Sequence, residues 1–371
     1  MQRIDAGRYQ ILVDAGSIDR LGALVSESGA AQGVSAHAII SDSNVASLYG
    51  ERVRAALSDS ARRAELFVIP AGEQSKSRLE WSLTTDAMLA RGLGRDTLVI
   101  ALGGGVVGDL AGFVAATFAR GIPVVQVPTS LLAMVDSSVG GKTGVDTPAG
   151  KNLVGAFHWP SLVVIDPQVL ATLPVSEWRA GFAEVLKHGA IADAEHFRQA
   201  ASAASTLPNV AAPLLEKLIA DSVRIKAGIV AGDEREGGAR RALNAGHTIA
   251  HAIEQASGFS VTHGEAVAIG LVLETEVGEQ LGITAPGTAD ELRRALNAVG
   301  LPVSCPSSLA PTDVLSATRS DKKSRNGQAQ YAFLSRIGAV DTADGRYSRP
   351  ASDEEVSRVL ERSRAGSDAG T

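Results

Sequence analysis

Thr97-Leu-Val-Ile-Ala-Leu-Gly103-Gly104-Gly105-Val106-Val107-Gly108-Asp109 joins an aliphatic, β-branched run to a cluster of glycines. Leu110, Phe113, Val114, Thr117 and Phe118 then recur at helical spacing. The pattern predicts strand, tight turn and helix. Glycine permits positive φ and close approach of a ligand, and the unpaired N–H groups of a helix start attract an anion, so the turn is a candidate pyrophosphate cradle. Gly103, Gly105 and Gly108 fit the G-x-G-x-x-G spacing, but their setting departs from the usual dinucleotide fingerprint. Three expected strands precede it, and the position where an acidic residue is expected holds Pro128. A ligand-free strand-to-helix turn fits this stretch equally well.

Working outward, strands are expected at Tyr9–Val13, Ala38–Ser41, Leu66–Ile69, Thr97–Leu102, Pro123–Val127 and Leu162–Ile165, with helices at Ile18–Ser28, Ala46–Leu57 and Arg78–Arg91. The alternation predicts an α/β domain with a largely parallel sheet, whose ligands sit beyond the C-terminal strand ends. Asp42, Gly72-Glu73-Gln74-Ser75-Lys76, the glycine run and Pro128-Thr129-Ser130 fall at those ends. From Trp178 helical periodicity takes over, at Trp178–Ala190, Ala212–Ala231, Ala242–Ser257, Gly264–Leu281 and Ala289–Val299. Thr288 with Glu291 and Ser352 with Glu355 have capping-box spacing. The expected domains are residues 1–175, α/β, and 176–371, all-α.

The 371 residues are 45% hydrophobic and 20% charged, ordinary for a soluble protein of one large or two smaller domains. A net charge of −6 argues against non-specific nucleic-acid binding. One cysteine, Cys305, excludes an internal disulfide and suits a reducing compartment. With no signal-peptide pattern and no run of membrane-span length, a cytoplasmic protein without membrane attachment is expected.

The second half carries a possible metal set. Glu184 lies in a helical pattern among Phe182, Ala183, Val185 and Leu186, so it is expected to be partly buried and to need a cationic partner. His247 and His251 are four apart and share a helix face, and His263 precedes Gly264-Glu265 at another helix start. One carboxylate and two or three imidazoles suit Zn²⁺ with a position left open, the mark of a catalytic site. Glycines beside His247 and His263 favour these as ligands, whereas His188 and His196 read as packed or solvated. Among the bases, Lys142 (after Gly140-Gly141) and Lys151 (after Gly150) stand in glycine-framed loops that resemble an oxyanion or phosphate site. The Lys142 loop is not a P-loop, because that spacing requires glycine where Asp136 stands.

These residues, taken in order, resemble the 3-dehydroquinate synthases, members of the sugar-phosphate cyclases. The resemblance is carried by Gly72-Glu73-x-x-Lys76, Gly103 to Asp109, Pro128-Thr-Ser, Asp136 to Gly144, Gly150-Lys151-Asn152, Ala183-Glu184-x-x-Lys187-His-Gly, Arg240-x-x-x-Asn244-x-Gly-His247-Thr-x-x-His251, His263-Gly-Glu-Ala and Asp321-Lys322-Lys323. It spans about residues 40 to 325. It implies a dehydroquinate synthase-like fold, a Rossmann-like N-terminal α/β domain plus an all-α C-terminal domain, assembled as a homodimer. It implies NAD at Asp42, Ala71, Gly72, Glu73, Gln74, Ser75, Lys76, Gly104, Gly105, Val106, Val107, Gly108, Asp109, Thr129, Ser130, Lys142, Lys151, Val169, Leu170, Ala171, Thr172 and Leu173. It implies Zn²⁺ or Co²⁺ on Glu184, His247 and His263, and a sugar-phosphate substrate on Arg120, Asp136, Lys142, Asn152, Lys187, Lys226, Arg240, Asn244, His251 and one of Lys322 or Lys323.

The implied substrate is 3-deoxy-D-arabino-heptulosonate 7-phosphate. Sister cyclases take sedoheptulose 7-phosphate or glucose 6-phosphate, and Arg240, Asn244 and Lys226, suited to a carboxylate, favour the heptulosonate. An NAD-linked polyol dehydrogenase would accumulate NADH, and a non-catalytic NAD-binding protein would not need the metal set.

Overall fold

The computed structural model describes residues 1–58, 62–320, 328–342 and 345–368. Lys322 and Lys323 therefore lie outside the described residues. The chain divides into two compact units, Met1–Pro174 with Ala212–Ala227, and Val175–Ala211 with Gly228–Thr371. The start of the Ala212–Gly232 helix, which periodicity groups with the later helices, thus belongs to the α/β unit.

The first unit is built on a seven-stranded sheet of order β1-β2-β9-β6-β5-β3-β4. Its strands are β1 (Gln2–Asp5), β2 (Gln10–Val13), β3 (Ala36–Asp42), β4 (Arg63–Ile69), β5 (Thr97–Gly103), β6 (Val124–Pro128) and β9 (Leu162–Ile165). All neighbours run parallel except β1 and β2. β5 is buried at every position and lies between β3 and β6, which is why it reads as an unbroken apolar run rather than an alternation. Val99, Ala101, Ile40 and Phe67 pack with Met88 of the Arg78–Ala90 helix and with Ala111, Val114 and Phe118, at about 1.5–3 kcal/mol for each large aliphatic or aromatic side chain fully buried.

An antiparallel hairpin of β7 (Lys142–Thr147) and β8 (Gly150–Phe157) completes the unit. It corrects the reading of Lys142 and Lys151 as loop residues, since both stand on strands. Gly144 opposes Gly155, and a Cβ on Gly155 would lie 2.1 Å from the Thr143 carbonyl oxygen, so the glycines allow close pairing of the strands. Two expected helices are broken: Ser17–Arg20 is a 3-10 turn before Leu21–Glu27, and Ala46–Gly50 is a π-turn before Glu51–Leu57.

The second unit is mainly helical, with Val175–Ala192, Ala194–Ala203, His247–Ala256, His263–Gln280, Thr288–Val299, Pro311–Ser320 and Asp353–Asp368. The helix expected from Ala242 begins only at His247. Residues Ala239–Asn244 form a 3-10 run, and Gly246, at φ 78°, is left-handed and interrupts the α-helix. Ser352 and Glu355 form the expected capping box. Thr288 does not: Gly287 is the N-cap, and the Thr288 hydroxyl donates to the Ala285 carbonyl at 2.6 Å. A box that the sequence reading missed opens the His263 helix, where Glu265 accepts from the Thr262 N–H at 2.9 Å.

Candidate active site

In the first unit, five of the segments singled out above stand at the C-terminal ends of parallel strands. Asp42 ends β3, Gly72–Lys76 follows β4, Gly104 and Gly105 follow β5, Thr129 and Ser130 follow β6, and Val169–Leu173 follows β9. None of Gly103, Gly104, Gly105 or Gly108 has positive φ, contrary to one of the two reasons expected for them. A Cβ on Gly103 would meet Val107 at 2.6 Å and one on Gly108 would meet Gln126 at 3.0 Å, so these two serve helix–strand packing. Gly104 is different. It is the helix N-cap, no side chain caps the helix there, and a Cβ would make only ordinary contact with Ser130. The first turn of Gly105–Thr117 therefore presents N–H groups suited to an anion.

Lys76 is buried, and its Nζ stands 2.5 Å from Asp109 Oδ2 on that helix. Burial would lower the lysine pKa, but the Asp109 carboxylate outweighs it and raises it. Asp42 spends Oδ1 on the N–H groups of Asn44 and Val45. Lys151 lies 3.9 Å from Glu73, and Asn152, at φ 54°, donates its N–H to Asp146. Arg120, at φ 71°, is exposed at the end of the Gly105–Thr117 helix. Val169 and Leu170 are core residues, whereas Ala171 and Thr172 are exposed. Lys226 Nζ reaches Asp136 Oδ1 at 2.7 Å, so these two candidate substrate residues are brought together within one unit.

The second unit holds the three residues expected to bind a metal. Glu184 is wholly buried inside the Val175–Ala192 helix, deeper than its apolar neighbours alone suggested. His247 and His263 are the first residues of their helices. Glu184 Oε1 lies 3.5 Å from His247 Nε2 and 3.7 Å from His263 Nε2, and one ligand atom from each residue lies within 4.8 Å of the others. These separations exceed hydrogen bonds and approach the roughly 3.4 Å between two ligands of a tetrahedral ion with bonds of about 2.1 Å. The donor set therefore fits a divalent cation. Lys187 pairs with the second oxygen, Oε2.

The outer imidazole nitrogens are also engaged. His247 Nδ1 is within hydrogen-bond distance of the Ala245 carbonyl, at 3.1 Å, and His263 Nδ1 faces the Glu254 carboxylate at a longer 3.5 Å, while both Nε2 atoms face Glu184. Burial would depress the His263 pKa, but Glu184 and Glu254 outweigh it and lift it to about 9. Glu254 was missed at the sequence level, although positions 247, 251 and 254 share one helix face.

His251 stands beside both imidazoles, with ring centroids 5.5 Å from His247 and 6.5 Å from His263. The flanking glycines make room for backbone rather than for the ion: a Cβ on Gly264 would lie 2.2 Å from Ala180 Cα, and one on Gly246 2.7 Å from Leu271 N. Arg240 and Asn244 project from the 3-10 run, with Arg240 Nη1 donating to the Glu234 carbonyl and Asn244 Nδ2 to Glu236, each at 2.7 Å. His188 and His196 are buried.

Two family models match the chain, 3-dehydroquinate synthase N-terminal over residues 66–180 and 3-dehydroquinate synthase C-terminal over residues 181–324. The 3-dehydroquinate synthase of Symbiobacterium thermophilum is 48% identical over 335 residues, 90% of this chain and 93% of the relative. That of Pelobacter propionicus is 44% identical over 331 residues, 89% of this chain and 91% of the relative. Among solved structures, 2-epi-5-epi-valiolone synthase from Streptomyces hygroscopicus subsp. jinggangensis, with NAD⁺ and Zn²⁺ bound, superposes with a TM-score of 0.86 at 28% identity, covering 99% of both chains. A 2-deoxy-scyllo-inosose synthase complexed with carbaglucose-6-phosphate, NAD⁺ and Co²⁺ shares the fold with a TM-score of 0.86 at 24% identity, covering 98% of this chain and 99% of that one. With both family models matched and such identity along nine-tenths of its length, the chain belongs to the 3-dehydroquinate synthase family.

Proposed function

We propose that the chain converts 3-deoxy-D-arabino-heptulosonate 7-phosphate to 3-dehydroquinate and phosphate, with NAD and a divalent metal as cofactors. The observation that carries the reading is the convergence of Glu184, His247 and His263 within 4.8 Å in a chain 48% identical to a named 3-dehydroquinate synthase. When bound, NAD⁺ supplies reversible hydride acceptance and the metal supplies Lewis acidity at the oxidised hydroxyl.

The chain's own residues bind, orient and move protons. The uncapped turn at Gly104 and Gly105 receives the pyrophosphate, with Asp42, Glu73, Lys76, Asp109, Thr129, Ser130, Lys142, Lys151 and the Val169–Leu173 turn contacting the rest of the cofactor. Arg240 is suited to bidentate anion contact, and Lys142, Lys187 and Lys226 to point-charge contact. Asn244, Asn152, Asp136 and Arg120 orient the sugar, and His251 carries a proton beside the metal ligands. Cytoplasmic location and a homodimer belong to the same proposal. Among the described residues, no helix is long and apolar enough to cross a membrane.

The test is phosphate release from the heptulosonate phosphate with NAD⁺, with and without chelator. Release abolished by chelation and restored by Zn²⁺ or Co²⁺, without net NADH, is expected. Preference for sedoheptulose 7-phosphate or glucose 6-phosphate would place the chain with the sister cyclases, and accumulation of NADH would make it a dehydrogenase.

A further inference from the structure

The peptide between Ala245 and Gly246 is held at both edges. Its carbonyl oxygen lies 3.1 Å from His247 Nδ1, and its N–H donates to Glu274 Oε2 at 2.9 Å. A carbonyl can only accept, so Nδ1 carries the proton and Nε2 keeps the lone pair that faces Glu184. A planar trans peptide sets C=O and N–H on opposite edges. A buried carboxylate, one amide and one imidazole thus form a chain of hydrogen bonds that ends at the nitrogen offered to the metal.

The other oxygen, Glu274 Oε1, accepts the Ile249 N–H at 2.9 Å. This is the work of an N-cap side chain, done from a different helix. The N-cap itself is Gly246, which has no side chain, and a Cβ there would lie 2.7 Å from Leu271 N. Glu274 is 2% exposed and stands on the helix whose first residue is His263. One side chain therefore ties the helix that begins with one imidazole to the helix that begins with the other.

We propose that Glu274 is a positioning residue for the metal centre, one that aims His247 Nε2 and strengthens it as a donor through the Ala245–Gly246 peptide. The proposal rests on the metal reading given above. Glu274→Gln keeps the shape but offers one acceptor and one donor to two N–H groups, so one hydrogen bond is replaced by a donor–donor clash.

The experiment measures Zn²⁺ affinity by chelator competition, the visible spectrum of the Co²⁺ form and the melting temperature of the metal-free protein, all on the full chain. It compares wild type, Glu274→Gln, Glu274→Asp in case the first variant does not fold, and Thr284→Val. Thr284 is buried in the same unit and donates to the Leu334 carbonyl, with no bond to Glu184, His247, His263 or Glu274, so its loss serves as the control for destabilisation. Zn²⁺ binding about 10- to 100-fold weaker in Glu274→Gln or Glu274→Asp, with a changed Co²⁺ spectrum, is expected, while Thr284→Val melts earlier with wild-type metal affinity and spectrum. Wild-type affinity and spectrum in the Glu274 variants would overturn this inference alone. Failure of the wild-type protein to bind either ion would remove the metal reading, and this inference with it.

Discussion

Lys76 Nζ and Asp109 Oδ2 stand 2.5 Å apart and join the turn after β4 to the first turns of the helix that follows the glycine run. The lysine side chain is 6% exposed and the carboxylate 18%. Lys76→Met strands a mostly desolvated carboxylate and should cost about 2–4 kcal/mol, somewhat below the range for a fully buried pair. Lys76→Met with Asp109→Leu should cost less than the sum of the single changes, because neither charge is then left alone. Urea unfolding of the three variants measures this, and additive losses would show that the pair is not coupled.

His263 gives a pH dependence of definite sign. Its imidazole, lifted to about 9, is protonated at neutral pH in the metal-free protein, whereas a ligand nitrogen must be neutral. Zinc binding at pH 7 should therefore release about one proton, and affinity should climb with pH until about 9 and then level. In the metal-free protein the same raised pKa contributes stability that is complete below the ordinary value of 6.5 and fades as pH rises through about 9. Calorimetric titrations in buffers of different ionisation enthalpy report the proton count, and none released would contradict the assignment.

Gly264→Ala and Gly228→Ala should move in opposite directions. An added Cβ at Gly264 falls 2.2 Å from Ala180 Cα, so the His263 helix must shift away from the Glu184 helix. A stability loss of about 1–3 kcal/mol or more is expected, together with weakened metal binding. Gly228 is exposed inside the Ala212–Gly232 helix with nothing within 4 Å of the added atom, and alanine there should stabilise by about 0.5–1 kcal/mol. Thermal melts with and without Zn²⁺ separate the two cases.

Ser352→Ala removes the hydroxyl that accepts the Glu355 N–H and should cost about 1 kcal/mol, while Thr288→Ala, at a position that is no N-cap, should not show a capping loss. Thr288→Ala still gives up its hydroxyl bond to the Ala285 carbonyl, so the deciding result is the Ser352 variant: an unshifted denaturation midpoint there would refute the capping role.

The central strands were legible because burial on both faces leaves nothing but aliphatic residues, as in β5. β8 was not: Gly150-Lys-Asn-Leu-Val-Gly-Ala-Phe157 reads as a loop, since exposure of Leu153, Val154 and Phe157 and two glycines remove the period-two signal. Glu184 could be singled out from a carboxylate among apolar neighbours, and His247 and His263 from imidazoles beside glycines. What those glycines do could not, because a Cβ clash with Ala180 or Leu271 depends on how helices cross. Capping was misread at Thr288 and missed at Thr262, because spacing alone does not say which residue has the extended backbone of an N-cap.

The backbone changes unit at Pro174–Val175, returns at Ala211–Ala212 and departs again at Ala227–Gly228. No single proteolytic nick can therefore liberate either unit as one continuous polypeptide. A gene cut at the first of these junctions would yield an α/β piece deprived of residues 212–227, Lys226 among them, the lysine that grips Asp136. Neither unit is one continuous stretch of chain, and the first reaches its finished form only after the ribosome has made part of the second.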